Sequence, residues 1–199
     1  MNIEKVQTSE GIFLIYNIIG LTGRNASGKG TVASFLTKRS FSYHSLSDTL
    51  RTKLVEEGME ESRDNLIAIG NRLREEGGPG VLADIMRKNI ITLNDHVVDS
   101  IRNPHEVSSL RRKYNNHLFC LIAVDASPEV RFERLSGRDR KGDSSSWEQF
   151  LVQEKLEESS ENPNKQQLFA TINEADYVID NSGNLEDLEN NLQEILGQL

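Results

Sequence analysis

The sequence predicts an α/β fold: a parallel sheet of about five strands with helices on both faces. Three observations lead there. Short apolar, β-branched runs recur along the chain, segments of helical periodicity separate them, and cap residues mark the helix starts. Strands alternating with helices build βαβ units, and a sheet covered on both faces needs strands that are apolar on both sides.

The strand runs are IFLIYNIIGL at 12–21, HVVDS at 96–100, HLFCLIAVD at 117–125 and DYVID at 176–180, with a weaker fifth, FSYHSL, at 41–46. Asn103-Pro104-His105-Glu106 supplies an N-cap, a proline at the first helical position and a glutamate at the third. Ser127-Pro128-Glu129 repeats the cap-then-proline pattern. Asn184 precedes LEDLENNLQEIL, in which Leu185, Leu188, Leu192, Ile195 and Leu196 share one helix face. Two more helices are expected at about 47–57 and 62–76, and GGPG at 77–80 breaks the chain after them. Residues 137–146 are polar and without period, which predicts a loop and a candidate lid. Trp147 begins the next helix, in a packing role.

Composition narrows the function classes. A chain of 199 residues suits one domain, taken as 1–199, and 36% hydrophobic residues are enough for a core. The net charge of -8 disfavours an extended nucleic-acid partner. The single cysteine, Cys120, lies in an apolar run and reads as a buried core thiol, so neither a disulfide framework nor a zinc cluster is expected. The histidines at 44, 96, 105 and 117 lack metal-ligand spacing and read as structural. No stretch is long enough to span a membrane, and the apolar run at 12–21 enters a glycine-rich loop rather than a cleavage site. A cytoplasmic location fits.

That loop, GRNASGKGT at 23–31, carries most of the functional reading. Gly23 and Gly28 let backbone N–H groups turn inward around phosphate oxygens, Lys29 supplies a point charge for the β- and γ-phosphates, and a helix from about Gly30 adds its positive end. Strand, loop and helix occur in the order a phosphate-binding P-loop requires. The pattern departs from the common one in a single respect: Gly30 follows the lysine, and Thr31 comes one residue later.

Other charged residues complete a candidate site. Asp99 ends a buried strand and is placed to hold Mg²⁺ with Thr31, and Arg102 follows at the same sheet edge, where open α/β folds bind ligands. Arg131, Arg134 and Arg138 recur at near-helical spacing, with Arg140 beyond them. Their planar forks suit phosphoryl oxygens, and Arg138 and Arg140 sit where a closing lid would cover ATP and exclude water. Arg131 is expected to face solvent. Asp48 and Arg51 share a helix face. They read either as an intrahelical ion pair or as acceptor ligands, with Asp48 on a hydroxyl or a metal-bound water and Arg51 on a phosphate.

With these residues in view, the chain resembles the P-loop nucleotide kinases over about 18–196. The GKGT ending is similar to that of adenylate kinase and other nucleoside monophosphate kinases. The stretches LSDTLR, LREEGGPGVLA, VVDSIRNPHEV, LIAVDASPEVRFERLSGRDR and ADYVIDNSGNLEDL look most like dephospho-CoA kinase and an archaeal group of similar P-loop proteins. The resemblance implies ATP and Mg²⁺ as cofactors, with Gly23, Asn25, Ala26, Ser27, Gly28, Lys29, Gly30, Thr31 and Arg134 around the nucleotide. It also places Asn181 and Gly183 near the adenine. It implies acceptor-binding helices at about 47–93 and a small nucleotide-like acceptor, either a nucleoside monophosphate or dephospho-CoA. A phosphate acceptor needs no general base, whereas a ribose hydroxyl benefits from one, and Asp48 is the candidate. A regulatory NTPase without a small-molecule acceptor, and a binding protein that has lost catalysis, are the competing classes.

Overall fold

A computed structural model describes residues 4–8, 11–88, 90, 94–112, 117–138, 146–158 and 162–199. The long strand β2 (Gly11–Thr22) runs through the centre of the sheet. It pairs in parallel with β4 (His96–Asp99) on one side and β5 (His117–Asp125) on the other. β3 (Ser42–Ser45) adds beyond β4 and β6 (Tyr177–Asp180) beyond β5, which gives the order β3-β4-β2-β5-β6. All five expected strands are therefore present, and all are parallel. A further strand, β1 (Glu4–Thr8), pairs antiparallel with the start of β2.

Side-chain alternation explains why both faces are buried. Ile19 and Leu21 of β2 pack with α1 (Lys29–Lys38) and α9 (Leu185–Gln198), whereas Tyr16 and Ile18 face the opposite core. Val97 and Val98 divide in the same way, as do Ile122 and Leu121. The second core is closed by α2 (Leu46–Glu56), α3 (Arg63–Gly77), α4 (Val81–Arg87) and α5 (Pro104–Arg111). Three shorter-range helices complete the chain: α6 (Pro128–Arg138), α7 (Trp147–Glu158) and α8 (Leu168–Asn173).

The caps match their sequence signals. Asn103 accepts from His105 N at 2.9 Å, and Asn184 forms a reciprocal capping box with Asp187. Burial pushes the Cys120 thiol up to about 12, as suits an inert core residue. Trp147 packs edge-on to Phe132, 5.4 Å between ring centroids, and close to Phe150.

One expectation is corrected. Arg131 does not face solvent: its side chain is 2% exposed. Its Nε donates to Ala126 O at 2.8 Å, its fork grips the carboxylate of Glu154 on α7, and its guanidinium lies over the Phe150 ring. The partner is 23 residues away in sequence, so helical spacing within α6 gave no sign of it. The lid core at 139–145, with Arg140, lies outside the described residues, as does the side chain of Arg138.

Candidate active site

The parallel register brings the C-terminal ends of β2, β4 and β5 to one edge, with Gly20 opposite Val98 and Thr22 opposite Ala123. The loop after β2 opens there. Its path needs left-handed backbone at Gly23 (φ 135°), Ala26 (φ 58°) and Gly28 (φ 106°). A Cβ on Gly23 would lie 2.0 Å from Val124 O, and one on Gly28 would lie 2.1 Å from Asn181 Nδ2. α1 then starts at Lys29 without a side-chain cap, so its dipole end is left for an anion.

Lys29 Nζ donates to Gly23 O at 2.8 Å and Arg24 O at 2.7 Å, which holds the ammonium across the mouth of the loop. The loop is also gripped from behind. Asn181 Nδ2 donates to Ser27 O at 2.8 Å, and Arg134 donates to Asn181 O at 2.8 Å and to Ser27 O at 3.5 Å. Arg24 forms an ion pair with Asp125 at the end of β5. Asn181 is thus a support of the loop, almost fully buried.

A cleft of about 1060 Å³ opens beside the loop. Asn25, Ala26, Gly28, Lys29, Gly30 and Thr31 form one wall, with Arg134 beside them. Gly23, Ser27, Asn181 and Gly183 are not among the lining residues. β4 separates the loop strand from β3 in the sheet, and the cleft floor follows that order with Asp99, Ser100, Tyr43 and Ser45. Asp99 is buried, and its Oδ1 accepts from Ser100 N at 2.6 Å while Tyr43 Oη stands 3.5 Å from Oδ2. Burial, then the nearby Asp99 charge, raises the Tyr43 pKa above its usual value. Thr31 and Asp99 therefore offer hard oxygen ligands to one cleft.

The far wall comes from the start of α2, the start of α3 and the segment after β4. Arg51, Arg63, Arg102, Glu61 and Leu66 line it; Arg63 Nη1 donates to Gln153 Oε1 at 3.4 Å and Arg102 Nη1 to Gln166 Oε1 at 3.3 Å. Asp48 forms the i,i+3 ion pair with Arg51 at 2.8 Å and lies outside the cleft lining. Arg102 is held by its backbone: its N–H donates to Glu106 Oε2 at 2.9 Å. Glu106 in turn forms a fully buried ion pair with Arg74 at 2.7 Å. Tyr43, Glu61, Arg63 and Leu66 were not singled out in the sequence. The only signal at 61–63 was a helix start, because the cleft that gives these residues meaning forms from separate segments.

Comparison with known proteins agrees with this architecture. Residues 19–151 match the family described as AAA domain. The chain is 30% identical over 191 residues to a UPF0200 protein of Pyrococcus horikoshii, across 92% of this chain and 97% of that protein. It is 31% identical over 187 residues to a UPF0200 protein of Pyrococcus furiosus, with the same coverage. Among solved structures, shikimate kinase from Bacteroides thetaiotaomicron shares the fold with a TM-score of 0.59 at 14% identity, over 92% of this chain and 98% of that one. The near full-length relatives and the loop-bearing parallel sheet coincide, and the chain belongs to the UPF0200 family, built on a P-loop kinase-like AAA domain.

Proposed function

We propose that the protein is an ATP-dependent phosphotransferase that moves a γ-phosphoryl group onto a small nucleotide-like acceptor, a nucleoside monophosphate or dephospho-CoA. The observation that carries this reading is the two-walled cleft: a phosphate-binding loop with Lys29 on one side, and Arg51, Arg63 and Arg102 on the other. Phosphoryl transfer asks a protein chiefly for in-line positioning and charge stabilisation, and two cationic walls flanking one space supply both.

With ATP bound, Lys29 would turn from the carbonyls of Gly23 and Arg24 to β- and γ-phosphate oxygens, and its charge would meet anionic acceptors in place of neutral ones. The uncapped start of α1 and the inward N–H groups of the loop hold the remaining oxygens. Thr31 and Asp99 suit Mg²⁺. Among the described residues no group of three or more His, Cys, Asp or Glu side chains gathers, and Mg²⁺ characteristically takes one or two protein oxygens and fills the rest with phosphates and waters. The ion would neutralise charge on the transferring group. Arg138 and Arg140 are assigned to cover that group, Arg102 to hold the anionic end of the acceptor, Arg51 to hold the acceptor through the carboxylate of Glu61 with which it pairs, and Asp48 to take a proton where the acceptor is a hydroxyl. Asn181 and Gly183 are assigned to the adenine side, through the loop that Asn181 supports.

The test is ADP release from ATP and Mg²⁺ in the presence of ribo- and deoxynucleoside monophosphates, nucleosides and dephospho-CoA. Stimulation by one acceptor class supports the proposal and names that class. Slow release indifferent to every acceptor would replace it with a partner-regulated ATPase.

A further inference from the structure

We infer that the far wall of the cleft reads an amino-bearing nucleobase on the acceptor, with Glu61 as the residue that selects it and Tyr43 as the surface on which its ring lies. This rests on the acceptor reading above and names the chemistry of that same wall.

The starting point is Arg51. Taken from sequence, it is an obvious ligand for an acceptor phosphate. In the structure it is already committed. Its Nη1 lies 2.8 Å from Asp48 Oδ1 and its Nε lies 2.9 Å from Glu61 Oε1. Burial works against the Arg51 charge, and the hydrogen bonds to Glu61 and Asp48 outweigh it, so its pKa is raised. A phosphate dianion placed on Arg51 would sit beside two carboxylates and be repelled by both. The clamp instead does something for Glu61: it fixes a flexible carboxylate on the cleft wall by a rigid fork.

Glu61 spends Oε1 on Arg51 and, among the described residues, keeps Oε2 for a ligand. An ionised carboxylate only accepts hydrogen bonds, so the group it meets must donate. Arg63 and Arg102 line the same wall and suit the anionic end of the same molecule. Between donor-reading and anion-binding groups stand two surfaces suited to a flat ring. Tyr43 is 46% exposed although it is a large aromatic residue, and it lines the cleft, as does Leu66 one helical turn beyond Arg63. Aromatic faces of this kind stack nucleobases. Guanine, adenine and cytosine present exocyclic amino donors to Glu61. Uracil and thymine carry a carbonyl oxygen where cytosine carries its amino group, and their one base-edge donor, N3–H, lies between two carbonyl oxygens that a carboxylate repels.

The experiment is calorimetric titration of the full chain with GMP, AMP, CMP, UMP and dTMP. The amino-bearing three should bind about tenfold or more tightly than UMP and dTMP, the scale of one hydrogen bond to a charged group. Glu61→Gln, whose amide both donates and accepts, should close most of that gap. Tyr43→Ala should weaken every monophosphate alike, by about tenfold. Five equal affinities, no binding, or a preference that survives Glu61→Gln would each overturn the inference. A purely structural Glu61 would shift all five affinities together, which the ratio detects. Run beside the ADP-release assay, the two readings separate. Selective binding without turnover sinks the phosphotransfer proposal alone. Turnover whose preference ignores Glu61 sinks this one alone.

Discussion

The two walls of the cleft are built from different materials. The loop wall is backbone held by backbone-directed bonds: Lys29 on Gly23 O and Arg24 O, Asn181 and Arg134 on Ser27 O. The far wall is made of side chains held by one another: Arg51 pairs with Asp48 and Glu61, and the backbone of Arg102 is held by Glu106, which pairs in turn with Arg74. A wall of carbonyls and N–H groups recognises a phosphate chain whatever else is attached to it. A wall of paired charges discriminates, because each pair is aimed by the other and each can be changed by one substitution. The loop wall should therefore fail when an atom is added to it, and the far wall when a charge is removed.

Gly28→Ala is a severe addition on the face where the loop meets Asn181. The new methyl would lie 2.1 Å from Asn181 Nδ2 at a φ of 106°, which alanine disfavours. The Asn181 backbone is held, since its N–H donates to Asp125 O at 2.7 Å and its carbonyl accepts from Arg134, and a retreat of its amide would give up the 2.8 Å bond from Nδ2 to Ser27 O that supports the loop. The loop must shift instead, and a displacement of the order of 1 Å in a phosphate site costs about a hundredfold. An ATP titration of the variant checks this. Gly30→Ala separates crowding from helix content: no atom lies within 4 Å of its Cβ position, so its thermal unfolding should occur at or above the wild-type temperature.

Arg74→Met makes the matching removal on the far side. It leaves Glu106, which is fully buried, without its cation. Stranding one member of a buried pair costs about 3–5 kcal/mol, which a denaturant titration would read as a lower midpoint. Glu106 also anchors the Arg102 backbone, so acceptor affinity should fall in the folded fraction while ATP affinity holds. If both ligands weaken equally, the two walls are not independent and the contrast between them is wrong.

The same contrast explains what was legible in the sequence. The loop wall is local: strand, glycines, lysine and helix follow one another between Gly11 and Lys38. All five parallel strands and the Asn184 cap were equally local signals. The far wall was half legible. Asp48 and Arg51 stand three residues apart, so their pairing showed, but Glu61 joins them from the next helix start. Arg131 misled for the same reason, since Glu154 and Phe150 reach it from α7. The family resemblance places Asn181 near the adenine, but its support of the loop has no local signal. Its bond to Ser27 O spans 154 residues, and no periodicity reports such a distance. β1 escaped because EKVQT is short and largely polar, and it gains strand structure only by pairing with β2.

The mildest test uses acid. His44 of β3 and His96 of β4 meet at 3.0 Å, on the strands that carry Tyr43 and Asp99. Burial first, and then the His96 ring, lower the His44 pKa below 6.5. The folded protein therefore resists a proton that the unfolded chain accepts readily. By linkage the contribution is fully present above pH 6.5, is lost as the pH falls through the lower folded value, and changes no further below it. Because His44 is partly exposed, solvent screens the effect, which should stay below about 1 kcal/mol. His44→Gln keeps a polar partner for His96 and removes the titration. Unfolding midpoints measured across the acid range should then slope less steeply than in the wild type. An unchanged slope would mean that the contact between His44 and His96 does not carry the acid sensitivity, and that charge acts on this site only through the carboxylates and guanidinium groups of the cleft itself.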